Sequence, residues 1–182
     1  MTYETVQVRE LEGCGAEVLG LDLKSMSNRQ WDEVQRAFVE HGVIFFRDQD
    51  LTPEQHIEFA QRWGAIDINR YFPAVAGYPM IAEVRKEPKQ EKNIGERWHT
   101  DHTYDQIPAM GSILVARELP SKGGDTLFAN VYRAFETLSE GLKKTLRGLN
   151  AVHSSAHRFG TAARKASGSD LVFHNGDKVG DV

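Results

Sequence analysis

The sequence predicts a mainly β domain with flanking helices, or an α+β arrangement of the same elements. Three observations carry this. Apolar residues recur at helical spacing early in the chain, the middle of the chain reads at period two, and size and composition suit one globular core. With 182 residues, of which 40% are hydrophobic and 26% charged, the sequence sits near the averages of a single domain.

The first clear helix starts at Ser27. Ser27 and Gln30 match a capping box, Trp31, Val34, Ala37 and Phe38 share a helical face, and His41-Gly42 supplies a polar last turn and a stop. Residues 43–47, β-branched and aromatic, read as a buried strand. A second helix opens at Thr52 with Pro53 in its first position and Gln55 completing the cap; Ile57, Ala60 and Trp63 form its apolar face and Gly64 its end.

Residues 80–85 read as a strand, followed by a charged loop over 86–97. Residues 98–104 alternate as a strand does, 112–117 is a clearer strand, 120–124 a turn and 126–129 a short strand. Two helical patches follow, 131–138 and 139–149, the second with Leu142, Leu146 and Leu149 on one face. Residues 154–182 hold only Leu171-Val172-Phe173 as an apolar run, so a loop or poorly ordered tail is expected there.

Composition excludes several function classes. The longest apolar run, Val43-Ile44-Phe45-Phe46, is far short of the roughly 20 residues of a spanning helix. The first ten residues lack the basic start and apolar stretch of a secretory signal. The single cysteine, Cys14, cannot form an internal disulfide, which points to the cytoplasm. With 22 basic and 26 acidic side chains, no global field draws nucleic acid or an anionic membrane. A small-molecule partner fits better, and a homo-oligomer stays open.

The most informative stretch is Trp98-His99-Thr100-Asp101-His102. In a strand, residues i and i+2 project to one face, which brings His99 and Asp101 together. An imidazole nitrogen beside a carboxylate oxygen supplies two of the three protein ligands of a facial triad holding non-haem Fe(II). H-x-D alone is a weak signal, and a surface His and Asp is its plainer reading. Trp98 beside it reads as core.

Several blocks around this one strengthen it. Trp98-His99-Thr100-Asp101, Gly111-Ser112-Ile113-Leu114, Glu118-Leu119-Pro120 and Gly123-Gly124-Asp125-Thr126-Leu127 together resemble the TauD/TfdA family of Fe(II)- and 2-oxoglutarate-dependent dioxygenases. Upstream, residues 42–49 and 59–64 resemble the same family's early helix–strand–helix segment. The resemblance covers about residues 10 to 155. It implies a double-stranded β-helix, the jelly roll of clavaminate synthase-like folds, incomplete here at the C-terminus, within one domain over 1–182.

The resemblance also implies roles. His99 and Asp101 match the first two iron ligands, and Thr126 matches the threonine whose hydroxyl bonds the distal carboxylate of 2-oxoglutarate. Gly123 and Gly124 read equally as turn residues and as ligand contacts. The implied reaction consumes O2 and 2-oxoglutarate, releases succinate and CO2, and hydroxylates a small organic, anionic substrate.

Where taurine dioxygenases carry a His and a Tyr for substrate, the alignment places Asn69 and Phe72, and Gly95 stands where they carry an Asn. Arg70 reads as an exposed charge with the alternative of an anion partner. His102 and Tyr104 are candidates for the substrate pocket. The family's second iron-binding His and its 2-oxoglutarate-binding Arg lie late in the chain, and after His174 only eight residues remain, none of them Arg. His153 and His157 are read as decoys and His174 as solvated. The expectation is that residues 1–182 are an N-terminal portion of a longer enzyme, with weak iron affinity and no turnover alone.

Two other readings compete. One is a non-catalytic binding module on the same scaffold; the other is a cupin-like isomerase or hydrolase holding Zn2+ with the same two ligands. The Gly123-Gly124-Asp125-Thr126 block and the joint presence of His99, Asp101 and Thr126 favour the oxygenase.

Overall fold

The computed structural model describes residues 2–91, 95 and 97–153. The loop or tail expected over 154–182, with His157 and His174, lies outside them. The chain divides into two compact units, one of residues 1–63 with 114–147 and one of residues 64–113 with 148–182.

In the first unit, β1 (Gln7–Glu10) pairs antiparallel with β2 (Ala16–Leu19), Val8 facing Val18, and β2 pairs parallel with β3 (Ile44–Phe45), Ala16 facing Ile44. Sequence reading passes over β1 and β2 because Arg9, Glu10 and Glu17 interrupt any apolar run. Glu17 is nevertheless 1% exposed. Its carboxylate is tolerated because Arg9 pairs with it and Arg47 Nε sits 2.9 Å away.

Helix α1 (Asn28–His41) starts at Ser27 with both halves of the capping box present, and Gly42 ends it at φ 73°. Helix α2 (Pro53–Gln61) has the expected Thr52–Gln55 box and Pro53 in the first turn, and it closes at Arg62 rather than Gly64. Both starts are local hydrogen-bond chemistry, which is why the sequence reveals them. The apolar faces meet in an aromatic cluster. Trp31 lies 4.6 Å from Trp63 and 6.0 Å from Phe59, Phe38 lies 5.1 Å from Trp63, all edge to face, and Arg62 covers the Trp31 ring at 4.5 Å. Around it Val6, Ala16, Val18, Val34, Ala37 and Leu51 are buried.

Glu33 on α1 secures the N-terminal segment. It is buried and accepts the backbone N–H groups of Glu4, Thr5 and Val6 at 2.9–3.0 Å together with the Thr5 hydroxyl. Desolvation pushes its pKa up, but these donors overcome that and hold it down at about 2.

Later in this unit, α3 (Val131–Glu136) is capped by Asn130 and α4 (Glu140–Leu146) by Ser139. Arg117 donates to the Leu51 carbonyl at 2.6 Å and Arg133 to that of Gly13 at 2.9 Å, tying this segment to the first sixty residues. The strands expected over 112–117 and 126–129 are not formed. Their residues have strand-like composition, but a strand exists only with a ladder partner, and among the described residues they have none. Leu142, Leu146 and Leu149 are exposed, as are Leu114, Leu127 and Val131.

The second unit contains a hairpin of β4 (Ala74–Val75) and β5 (Tyr78–Ala82), Ala74 facing Ala82, with a register irregularity at Ala74/Val75. The strand expected over 80–85 is thus shifted toward the turn. The strand expected over 98–104 is also replaced: 98–100 have no regular structure and 101–104 form a turn. Trp98, read as core, is 70% exposed. No helix among the described residues is long and apolar enough to cross a membrane.

Candidate metal centre

His99 Nε2 lies 3.2 Å from Asp101 Oδ1, both side chains more than half exposed. The pair meets although the segment is no strand, because the chain turns at Asp101 instead of continuing. His99 Nδ1 stands 2.7 Å from the Arg97 carbonyl oxygen. A carbonyl only accepts, so Nδ1 carries the hydrogen and donates. In a neutral ring Nε2 then presents its lone pair to a carboxylate oxygen; in an imidazolium its N–H donates to that oxygen.

Two acceptors do not approach to that distance in isolation; a shared proton or a cation must sit between them. Two donors each about 2.1 Å from a six-coordinate cation stand about 3 Å apart when adjacent. A metal-bound histidine also usually donates its other N–H to a carbonyl or carboxylate. The donor set and its orientation therefore fit a divalent metal of the non-haem iron type. Among the described residues, His99 and Asp101 do not form part of a group of three or more such ligands. His153 is exposed.

Gly95 packs against the His99 ring. A Cβ there would come within 3.5 Å of the His99 ring, and its φ of 72° is one that L side chains rarely adopt.

The other sequence candidates of this unit are placed as follows. Asn69 Oδ1 accepts from the backbone N–H groups of Tyr71 and Phe72 at 2.8 and 3.0 Å, so its carbonyl end is committed to a turn. Phe72 is half-buried. Tyr104 stacks edge to face on Tyr71, ring centres 6.3 Å apart, and lies 5.9 Å from the His102 ring. Burial and then its bond with the Tyr71 hydroxyl push the Tyr104 phenol above its ordinary pKa, so it stays protonated.

Sequence reasoning missed a polar node beside the pair. Asp67, His102 and Asp105 offer ligand atoms within 4.8 Å of one another. His102 Nδ1 is 2.9 Å from Asp105 Oδ2 and 3.8 Å from Asp67, and Arg70 Nη2 is 3.7 Å from Asp105 Oδ1. Arg70, read as an exposed charge, is exposed and also lies within ion-pair distance of the buried Asp105 carboxylate. That guanidinium offsets one of the cluster's two carboxylates. The only hint in the sequence is an acid three residues after a histidine, which is too common to single out.

Thr126 belongs to the first unit, exposed in a segment without regular structure. Before it, Gly123 and Gly124 have φ of 79° and 81°, and a Cβ on Gly124 would meet Pro120 Cγ at 3.2 Å. Both glycines are therefore required by the backbone itself.

Comparison with known proteins follows the same lines. The family model described as "Taurine catabolism dioxygenase TauD, TfdA family" matches residues 7–180. The (S)-phenoxypropionate/alpha-ketoglutarate-dioxygenase of Sphingobium herbicidovorans is 32% identical over 174 residues, 89% of this chain and 59% of that protein. A taurine dioxygenase structure from Burkholderia xenovorans superposes with a TM-score of 0.73 at 32% identity, covering 83% of this chain and 54% of that one. The structure of AAD-2 in complex with Mn(II) and N-oxalylglycine gives 0.60 at 29% identity, covering 78% and 49%. The chain thus spans about half the length of the relatives it matches. The likeness gives it the double-stranded β-helix fold that the sequence blocks implied, although its described residues form two small sheets and no closed barrel. With the match running through nearly the whole sequence, the chain belongs to the TauD/TfdA family of alpha-ketoglutarate-dependent dioxygenases.

Proposed function

We propose that this chain carries the first part of an Fe(II)- and 2-oxoglutarate-dependent dioxygenase domain that hydroxylates a small organic anion. The observation that carries the reading is the His99 Nε2 to Asp101 Oδ1 approach of 3.2 Å, with the other ring nitrogen taken up by the Arg97 carbonyl. When bound, Fe(II) with 2-oxoglutarate supplies the O2-dependent oxidation of a C–H bond, with succinate and CO2 released.

The chain's own groups do the rest. His99 and Asp101 are the two metal ligands, the carboxylate neutralising one charge of the cation. The Thr126 hydroxyl donates to the distal carboxylate of 2-oxoglutarate. Asn69, its oxygen held by the backbone, keeps its amide N–H donors for substrate. Tyr104 offers a neutral phenol, Phe72 an apolar wall, and Gly95 and His102 complete the surroundings. Among the described residues no third ligand stands with this pair.

An anionic substrate is supported by relatives named for phenoxypropionate and taurine. The acidic balance of charge favours small molecules over nucleic acid, and the cytoplasm suits a chain with one cysteine.

The test is anaerobic addition of Fe(II) and 2-oxoglutarate to a full-length protein carrying these same motifs, followed by the weak visible charge-transfer band of the chelate. The band is expected there. Its absence, with the protein folded, would favour a binding module on the same scaffold; binding of Zn2+ alone would favour the hydrolase or isomerase reading.

A further inference from the structure

We propose that Arg70 is the anchor for the acidic group of the substrate, taking a carboxylate or sulfonate in its guanidinium fork; this rests on the small-anion reading above. Asn69 fixes the turn that carries it, its side-chain oxygen accepting the N–H groups of Tyr71 and Phe72 on the other side of Arg70. The arginine is thus placed by its neighbours in the chain, with 38% of its side chain exposed.

Its charge is held while its donors stay open. Nη2 stands 3.7 Å from Asp105 Oδ1, within ion-pair reach and too far for a hydrogen bond. Among the described residues none of its N–H groups donates to an acceptor. A guanidinium carries five N–H donors in a planar fork, which matches two oxygens of one acidic group. Asp105 is only 8% exposed, and its Oδ1 makes no hydrogen bond among the described residues. A buried carboxylate so placed favours a cation that stays beside it.

Arg70 is also continuous with the substrate candidates. Asn69 precedes it, and the half-buried Phe72 lies two residues on. Asp105 Oδ2 is 2.9 Å from His102 Nδ1, and the His102 ring is 5.9 Å from that of Tyr104. Burial first, then the Tyr71 bond and the charges of Asp105 and Asp101, raise the pKa of the Tyr104 phenol. Both carboxylates are therefore within electrostatic reach of one ring. Asp67 lies 3.8 Å from His102 as well, so three carboxylates stand in this group and repel an anion. Among the described residues, Arg70 is the only arginine or lysine that pairs with any of them. An anionic substrate here needs that charge.

Benzoate is the probe and benzamide its neutral control, each titrated into the metal-free chain labelled with 15N-arginine. The Arg70 Nε–Hε signal, identified by its absence from Arg70→Gln, is expected to shift saturably with benzoate. It should not do so with benzamide, or with sodium chloride at equal ionic strength. Benzoate affinity should fall about 10- to 100-fold in Arg70→Gln, the loss of hydrogen bonds between charged groups. Arg70→Lys keeps a cation beside Asp105 and loses the fork, so its affinity should fall in between, and it carries the test should Arg70→Gln not fold. In the full-length protein, the 2-oxoglutarate concentration at half saturation of the Fe(II) band should be unchanged in Arg70→Lys. A parent that binds no benzoate, an equal response to chloride or benzamide, or parent-like affinity in either variant would overturn the anchor. A raised 2-oxoglutarate requirement would give Arg70 to the cosubstrate and overturn it too. Benzoate held by Arg70 in a protein that gives no Fe(II) band would support the anion site and overturn the oxygenase reading instead.

Discussion

The Nε2 of His99 faces a carboxylate oxygen of Asp101 at 3.2 Å, on a stretch of chain with no ladder partner among the described residues. The Arg97 carbonyl takes up the other ring nitrogen, as the second nitrogen of a metal-bound histidine is usually held.

On the proposed reading, Thr126 bonds the distal carboxylate of 2-oxoglutarate. Replacing it with valine keeps the β-branched shape and removes the donor. A hydrogen bond to a charged group is worth about 1.5–3 kcal/mol, so the 2-oxoglutarate concentration at half saturation of the Fe(II) band should rise about 10- to 100-fold in Thr126→Val. An unchanged titration would remove Thr126 from the cosubstrate site.

Glu33 makes the N-terminal segment acid-sensitive. Its folded pKa, about 2, lies below the ordinary 4.5, so its contribution to stability is fully present above the unfolded value and is lost as pH falls from about 4.5 toward 2. Glu33→Gln should lower the melting temperature at pH 7 and narrow the difference from the parent as pH drops through that window. A pH-independent difference in melting temperature would contradict the assignment.

Trp31 and Trp98 should behave oppositely. Trp31 is buried among Phe59 and Trp63 under Arg62, and Trp31→Ala should cost about 3–5 kcal/mol in denaturant unfolding. Trp98 is 70% exposed, and Trp98→Ala should stay within about 0.5 kcal/mol of the parent. Comparable losses for the two would place Trp98 in a core.

The helix starts at Ser27 and Thr52 are readable in the sequence because each is settled within four residues by side chains bonding the nearest backbone. Strands are settled elsewhere. Residues 112–117 and 126–129 have the composition of strands yet no partner among the described residues, whereas β2 pairs well although it carries the buried Glu17. That glutamate is legible only once Arg9 and Arg47 are seen beside it. His99 and Asp101 were brought together in the sequence by strand alternation and in the structure by a turn. Asp105 was invisible because its importance comes from burial and from Arg70, neither of which a local motif records.

The most direct test of the account is anaerobic calorimetric titration of the protein with Fe(II), comparing the parent with His99→Ala and Asp101→Ala. The account predicts measurable binding by the parent and its loss in either variant, with the fold retained by circular dichroism. Equal Fe(II) affinity in all three proteins would contradict it.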